Sequence, residues 1–425
     1  MTTIKDFGKI FRSNPTLQEL CRRVTEGGRR RHIALDGLNA SAVSLAMATL
    51  FDEKCCNNIL VIADDADKAG YLYFDLTQLI GSDRVAFFPA LYKHIHKSGT
   101  TVAENGILRT DSLNKISDGK PCIIVSFPDA ISEKVVPADR FASARITLTK
   151  GQEYAMSTLL DDLRNSCFEE VDFVYEVGQY SQRGSIVDVF SYSNELPYRI
   201  DFFGDNVESI RTFDIERQLS IEDVDRLAVV AATDSEELGK VSLLEFVAPD
   251  TLIVANDIDY CIKRIDQIYS QALVKANEQR QTSDLYSSLI DGDGFRQQLE
   301  EFFTIEVLRN FYKADTLVFA TTLQPNFNKN FDLISKNIKQ YIADGYRIYI
   351  ASDSKKQIDR ITSIFDDRGD DISFEAVDKT LHEGFVDNDL KVCFFTDHQI
   401  FGRFHKYNLR SDRARSGKMA LTLKE

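Results

Sequence analysis

Between residues 32 and 125, short apolar runs at 32–35, 58–63, 84–88 and 121–125 alternate with helical patterns at about 40–52, 67–80 and 100–116. A strand covered by helices on both faces reads as a continuous apolar run. Neighbouring parallel strands need a long crossover, usually a helix. The repetition therefore commits this stretch to a mostly parallel sheet with helices on both sides. In the third helix Val102, Ile107, Leu108 and Leu113 form the inward stripe, and Gly106 interrupts it.

The pattern breaks near residue 146. Residues 146–230 read as short strands with a single helix near 156–165, and a β/α pattern resumes at 250–255. Asn256 or Asp257 can cap the helix that follows, where Ile258, Ile262, Ile265, Tyr269 and Leu273 recur at helical spacing. A second helical stripe runs over 295–311, and a third β/α unit begins near 331 with strands at 347–350, 374–377 and 391–395. The expected architecture is a multidomain α/β chain. Two α/β lobes, 1–145 and 233–325, flank an inserted β-rich α+β domain, 146–232. A small α/β domain, 326–405, and a basic linker, 406–425, follow.

A chain of 425 residues with 43% apolar content can bury several cores, and its formal charge of −15 opposes a surface that tracks nucleic-acid phosphates throughout. Basic residues nevertheless cluster at 22–31 and 403–418, which leaves weak DNA contact open. No run approaches the roughly 18 apolar residues that span a bilayer. The first residues lack a signal peptide's apolar segment, so a cytoplasmic protein with no membrane contact is expected. The seven scattered cysteines form neither a disulfide framework nor a zinc pattern, and His94 and His96, the one close histidine pair, lack evident co-ligands. No metal is expected.

The first strand ends at Asp36-Gly37, where a phosphate loop would follow in a nucleotide-binding α/β domain. A working G-x-x-x-x-G-K-[ST] loop needs backbone amides around the phosphates, a lysine on the outer ones and a hydroxyl on Mg²⁺. Counting from Gly37, Ala42 replaces the second glycine and Val43 replaces the lysine; Ser44 alone remains. Valine cannot donate to a phosphate. Either the loop has lost its chemistry or Gly37 merely ends a strand. Asp64, Asp65 and Asp67 suit a helix start better than a metal site. Residues 291–294 open like a calcium loop, but Phe295, Arg296 and Phe302 occupy positions that need other residues. No G-x-S-x-G or Ser/His/Asp arrangement is present.

From Arg199 the chain alternates strictly. Ile200 and Phe202 point one way, and Arg199, Asp201 and Phe203 the other. Gly204 and Asp205 then reverse the chain into 207–213, and Arg183-Gly184 opens the preceding strand, 185–190. Arginines and a phenylalanine on an outward face are the make-up of a protein-binding hot spot. They also fit an ordinary surface that happens to carry a ring.

Arg183-Gly184, Asp188-Val189-Phe190, Arg199-Ile200-Asp201-Phe202-Phe203 and Arg211-Thr212-Phe213-Asp214 form a pattern that resembles the second domain of the excision-repair protein UvrB. More closely, it resembles the matching domain of the transcription-repair coupling factors. Glu383-Gly384-Phe385 is similar to a motif of their small third domain. The resemblance implies a non-catalytic module that recruits UvrA in nucleotide excision repair. Arg183, Arg199 and Phe203 would be the contact residues. The loop with Gly37, Ala42, Val43 and Ser44 would be a degenerate phosphate loop without nucleotide. The resemblance also implies a piece of a longer ATP-dependent DNA translocase that displaces stalled RNA polymerase. The polymerase-binding domain, ATP and Mg²⁺ would belong to segments beyond this one. The rival expectation is a UvrB-type ATP-dependent helicase lobe.

Overall fold

The computed structural model describes residues 1–27, 31–91, 99–143, 145–166, 168–192, 196–230, 239–279, 287–308, 315–327 and 329–403. His94, His96, Cys167 and the 404–425 tail lie outside the described residues.

A seven-stranded parallel sheet runs in the order Thr316–Val318, His32–Asp36, Phe303–Leu308, Leu252–Ala255, Ile59–Ile62, Ile123–Ser126, Val85–Phe87. The apolar runs of 32–125 supply four of its strands, as the alternation requires. The two flanking lobes, however, are one. Leu252–Ala255 pairs with Ile59–Ile62, and Phe303–Leu308 lies between Leu252–Ala255 and His32–Asp36. Segments on either side of the insertion thus build a single sheet, because their all-buried strands complete one another's backbone hydrogen bonds.

The helical stripe read over 295–311 is corrected too. The helix covers Gly292–Leu299, with Asp291 capping it, and Phe303–Leu308 is a strand near the middle of the sheet. Phe295 and Leu299 sit one helical turn apart, but Thr304, Ile305 and Val307 are β-branched, and Ile305 is fully buried. Tertiary pairing and β preference override the helical spacing there.

The third unit is a five-stranded mixed sheet in the order Thr321–Leu323, Phe385–Asp387, Val392–Thr396, Arg347–Ala351, Glu375–Val377. Its first strand begins three residues after the last strand of the large sheet. One face is covered by the helices Phe331–Ala343 and Lys355–Asp367 through Ile334, Ile338, Ile361 and Phe365. The amino-terminal helix Ile4–Phe11 packs on this same unit. Phe7 meets Tyr349 and Phe394 with ring centroids 5.1 and 4.5 Å apart, and Phe11 meets Phe385 at 5.6 Å. Asn14 fastens the end of this contact by donating to the buried Asp387 at 3.0 Å.

The inserted segment is separate in its core. Its six-stranded sheet runs Ser220–Asp223, Asn206–Phe213, Tyr198–Phe203, Ile186–Val189, Gln179–Arg183, Glu169–Glu170. Leu159, Leu160 and Leu163 of the helix Met156–Asn165 pack with Ile146, Leu148, Leu227 and Val229 under its inner face.

Candidate protein-docking site

The outer face of that sheet carries the three residues singled out by sequence. Ile200 and Phe202 are buried in the inner core, and Phe203 is 77% exposed, so the strand Tyr198–Phe203 presents its faces as the alternation dictates. Gly204 has φ 63° at the first central position of the reversal, the conformation a two-residue type II′ hairpin asks for. The reversal is pinned from below: Tyr154 N–H donates to the Asp205 carbonyl at 2.6 Å, and Gly151 N–H to that of Val207 at 2.7 Å. Phe203 is therefore held out on a tethered hairpin, an apolar ring with little backbone freedom left to lose on binding.

The arginines are organised from within. Asp188, with no exposed side-chain surface, stands opposite Arg199 in the strand register. Arg199 grips it in a fork, Nε to Oδ1 and Nη2 to Oδ2, both at 2.8 Å, and its Nη1 donates to the Gln218 carbonyl at 3.0 Å. Arg183 donates to the same carboxylate. Aromatic rings lie under both guanidinium groups: Phe213 under Arg199 at 4.6 Å, and Phe173 under Arg183 at 4.9 Å. The carboxylate pairing pushes the Arg199 pKa above its ordinary value. Arg211 directly opposes Arg199, a repulsive pair by itself, but it turns to Asp201 instead. Exposure separates the two arginines. The side chain of Arg183 is 36% exposed, whereas that of Arg199 is only 14% exposed. Arg199 is mostly a strut for the patch, and Arg183 and Phe203 are its accessible parts. Sequence reasoning quoted Asp188 only as part of a pattern. A lone acid between Val187 and Val189 in a strand is the signal that it anchors something.

The loop after the first strand is occupied by the chain itself. Gly37 has φ 69°, and its carbonyl accepts from Thr321 Oγ1 at 2.6 Å and from Asn39 Nδ2 at 3.1 Å. Four of the backbone amides along this loop are engaged within the chain. Asn39 N–H donates to Thr321 Oγ1, Ser41 N–H to the Glu383 carbonyl, and Ala42 and Val43 N–H to the Asn39 and Ala40 carbonyls. Val43, in the first turn of the buried helix Ala42–Asp52, packs against the core. Ser44 is fully buried and donates to Asp75 at 3.2 Å.

Asp75 ties this loop to the third unit. It accepts from Ser41 Oγ at 2.5 Å and from the His382 amide at 2.6 Å, and His382 stacks on Tyr71 with centroids 3.5 Å apart. Burial pushes the Asp75 carboxyl up to about 7, against hydrogen bonds from Ser41, His382 and Ser44 that favour its charged form. Because the folded pKa lies above the unfolded one, the stability this group lends is full below about pH 4 and is lost as pH rises through about 7. Melting temperature is expected to fall between pH 5 and pH 8, and Asp75→Asn is expected to flatten that fall. A variant whose pH profile matched the wild type's would remove Asp75 from this role. Asp75 sits on the buried stripe of its helix with Leu76 and Leu79, a charged residue in an apolar stripe that sequence analysis passed over.

Asp65 caps the helix Ala66–Ile80 by accepting from Lys68 N–H at 2.8 Å, and Asp64 pairs with Lys68. Among the described residues no group of three or more His, Cys, Asp or Glu is placed to hold a metal ion, and no helix is long and apolar enough to cross a membrane. Within the basic cluster at 22–31, Arg22 pairs with Glu19 and Glu26, and Arg23 with Glu19 and Asp315, which lowers the charge available for nucleic acid.

The UvrB interaction domain family matches residues 146–234, the segment that carries this sheet. The chain therefore contains a UvrB-type interaction domain. Beyond that segment, the chain is 21% identical over 452 aligned residues to a transcription-repair-coupling factor of Staphylococcus aureus, a match that covers 87% of the chain. It is 24% identical over 217 residues to that of Escherichia coli, and 25% identical over 298 residues to UvrABC system protein B of Streptococcus pyogenes, covering 51% and 67% of the chain. Most of the chain is thus similar to part of the transcription-repair coupling factors. The matches span 38%, 19% and 41% of those relatives' own lengths.

Proposed function

We propose that this chain is a docking module that recruits UvrA to damaged DNA during transcription-coupled repair, with Phe203 as its apolar anchor and Arg183 as its accessible cation. One observation carries the reading: an aromatic ring 77% exposed on a tethered hairpin, on the same sheet face as an arginine pair fixed on one buried carboxylate, in a domain of the UvrB interaction family. Such a patch offers a large apolar contact and charge-assisted hydrogen bonds at low ordering cost. The 37–44 loop acts here as a degenerate phosphate loop, a packing element with four of its amides spent on Thr321, Glu383 and its own turn. Translocation along DNA, ATP hydrolysis and contact with RNA polymerase belong, on this reading, to other parts of a longer protein.

Calorimetric titration with UvrA tests the proposal. Phe203→Ala is expected to weaken binding by about 2 kcal/mol, roughly thirtyfold, the scale of a hot-spot ring. Its melting temperature is expected to change little, because the residue is 77% exposed and has little packing to lose. No binding by the wild-type chain would overturn the proposal.

A further inference from the structure

At the carboxyl end of the third unit, like charges gather around one aromatic ring. The guanidinium groups of Arg360 and Arg403 both rest on Phe401, each 4.9 Å from the ring centroid. Lys329 lies alongside, its Cε 3.5 Å from where a Cβ on Gly402 would stand. Lys356 precedes Arg360 by four residues on the helix Lys355–Asp367, which puts the two on one helix face. All four basic residues are exposed.

Acids do little to neutralise them. Arg403 donates to Asp397 at 3.4 Å and to Gln357 at 3.3 Å. Among the described residues, no ion pair joins Lys329, Lys356 or Arg360 to an acid. Asp359 is on the same helix, and Asp353 just before it accepts from the Thr380 amide instead. The helix does not account for the charges either. Lys355 and Lys356 stand in its first turn and Asp366 and Asp367 in its last, the reverse of what the helix dipole favours. The basic cluster at 22–31 differs, because Arg22 and Arg23 are spent on Glu19, Glu26 and Asp315.

We propose that Lys329, Lys356, Arg360 and Arg403 form a contact for the phosphate backbone of DNA. Unneutralised cations set side by side suit a row of phosphates, whose counterions they release on binding. Phe401 is only 7% exposed, too buried to stack on a base, so the contact reads no sequence. The formal charge of −15 repels a polyanion from the chain as a whole, which confines the contact to a local patch. The sequence just beyond Arg403 adds Lys406, Arg410, Arg413, Arg415 and Lys418 against Asp412 alone. The patch belongs to the third unit and not to the inserted domain with Phe203, so it stands independently of the docking reading.

Fluorescence anisotropy of a labelled DNA duplex, titrated with the whole chain through rising salt, tests the proposal. The wild-type chain is expected to bind at low salt, with affinity falling linearly on logarithmic axes. Replacing Lys329, Lys356 and Arg360 together by Gln is expected to weaken binding and make that slope shallower by about 3, one for each lost phosphate contact. Arg360→Lys keeps the charge and is expected to restore the slope to that of the double Lys329→Gln, Lys356→Gln variant. Arg22→Gln and Phe203→Ala are expected to leave the slope unchanged, and melting temperatures confirm that each variant is folded. No binding by the wild-type chain at low salt, a wild-type slope in the triple variant, or an equal loss per residue in Arg22→Gln would each overturn the proposal.

Discussion

Asp188→Ala is expected to destabilise the inserted domain by about 3–5 kcal/mol, the cost of leaving a buried partner charge uncompensated. The carboxylate is fully buried and holds two guanidinium groups at once. Arg199 bears most of the loss, because its side chain is only 14% exposed and would keep Phe213 and the Gln218 carbonyl as its remaining neighbours. Arg183 can turn to water, so Arg183→Ala is expected to cost no more than about 1 kcal/mol. Urea denaturation of the three proteins measures the difference. An Asp188→Ala loss no larger than that of Arg183→Ala would mean the carboxylate is not the strut described. The same asymmetry governs how binding data on Arg199 are read, since Arg199→Ala strands Asp188 and lowers stability as well as affinity.

Gly37→Ala is expected to cost about 3 kcal/mol, made of roughly 1 kcal/mol for a left-handed residue and the rest for displaced backbone. A Cβ on Gly37 would overlap the Phe319 carbonyl oxygen, where the last strand of the large sheet passes toward Thr321. The control is Gly204→Ala. Gly204 has a similar φ of 63° but open space around a Cβ, so only the conformational share of about 1 kcal/mol is expected. Equal losses in chemical denaturation would show that the backbone at Gly37 yields freely. In the structure the glycine serves a close crossing of chain segments.

Much of the architecture was legible because burial writes itself into strands. The all-apolar runs at 59–62, 85–87 and 123–125, alternating with helical patterns, read as interior parallel strands. The alternation of 198–203 fixed which side of the hairpin faces water. What sequence could not show was pairing over long separations. Nothing local in Phe303–Leu308 says that it inserts beside His32–Asp36, nor that Phe7 and Phe11 are destined for Phe385 and Phe394. Periodicity reports that a face is apolar and leaves its partner open. The residues proposed for docking followed a similar rule. Phe203 was readable from its place in the alternation, while the sharing of Asp188 by Arg183 and Arg199 depends on three adjacent strands and a register.

The affinity of UvrA for Phe203→Ala, measured by calorimetry beside the wild-type chain and with melting temperatures recorded for both, bears on recruitment most directly. Binding weakened about thirtyfold with melting little changed is expected, because the proposal gives the ring to a partner and the ring is 77% exposed in its own domain. Equal affinities for UvrA would contradict the assignment of this hairpin as the docking site.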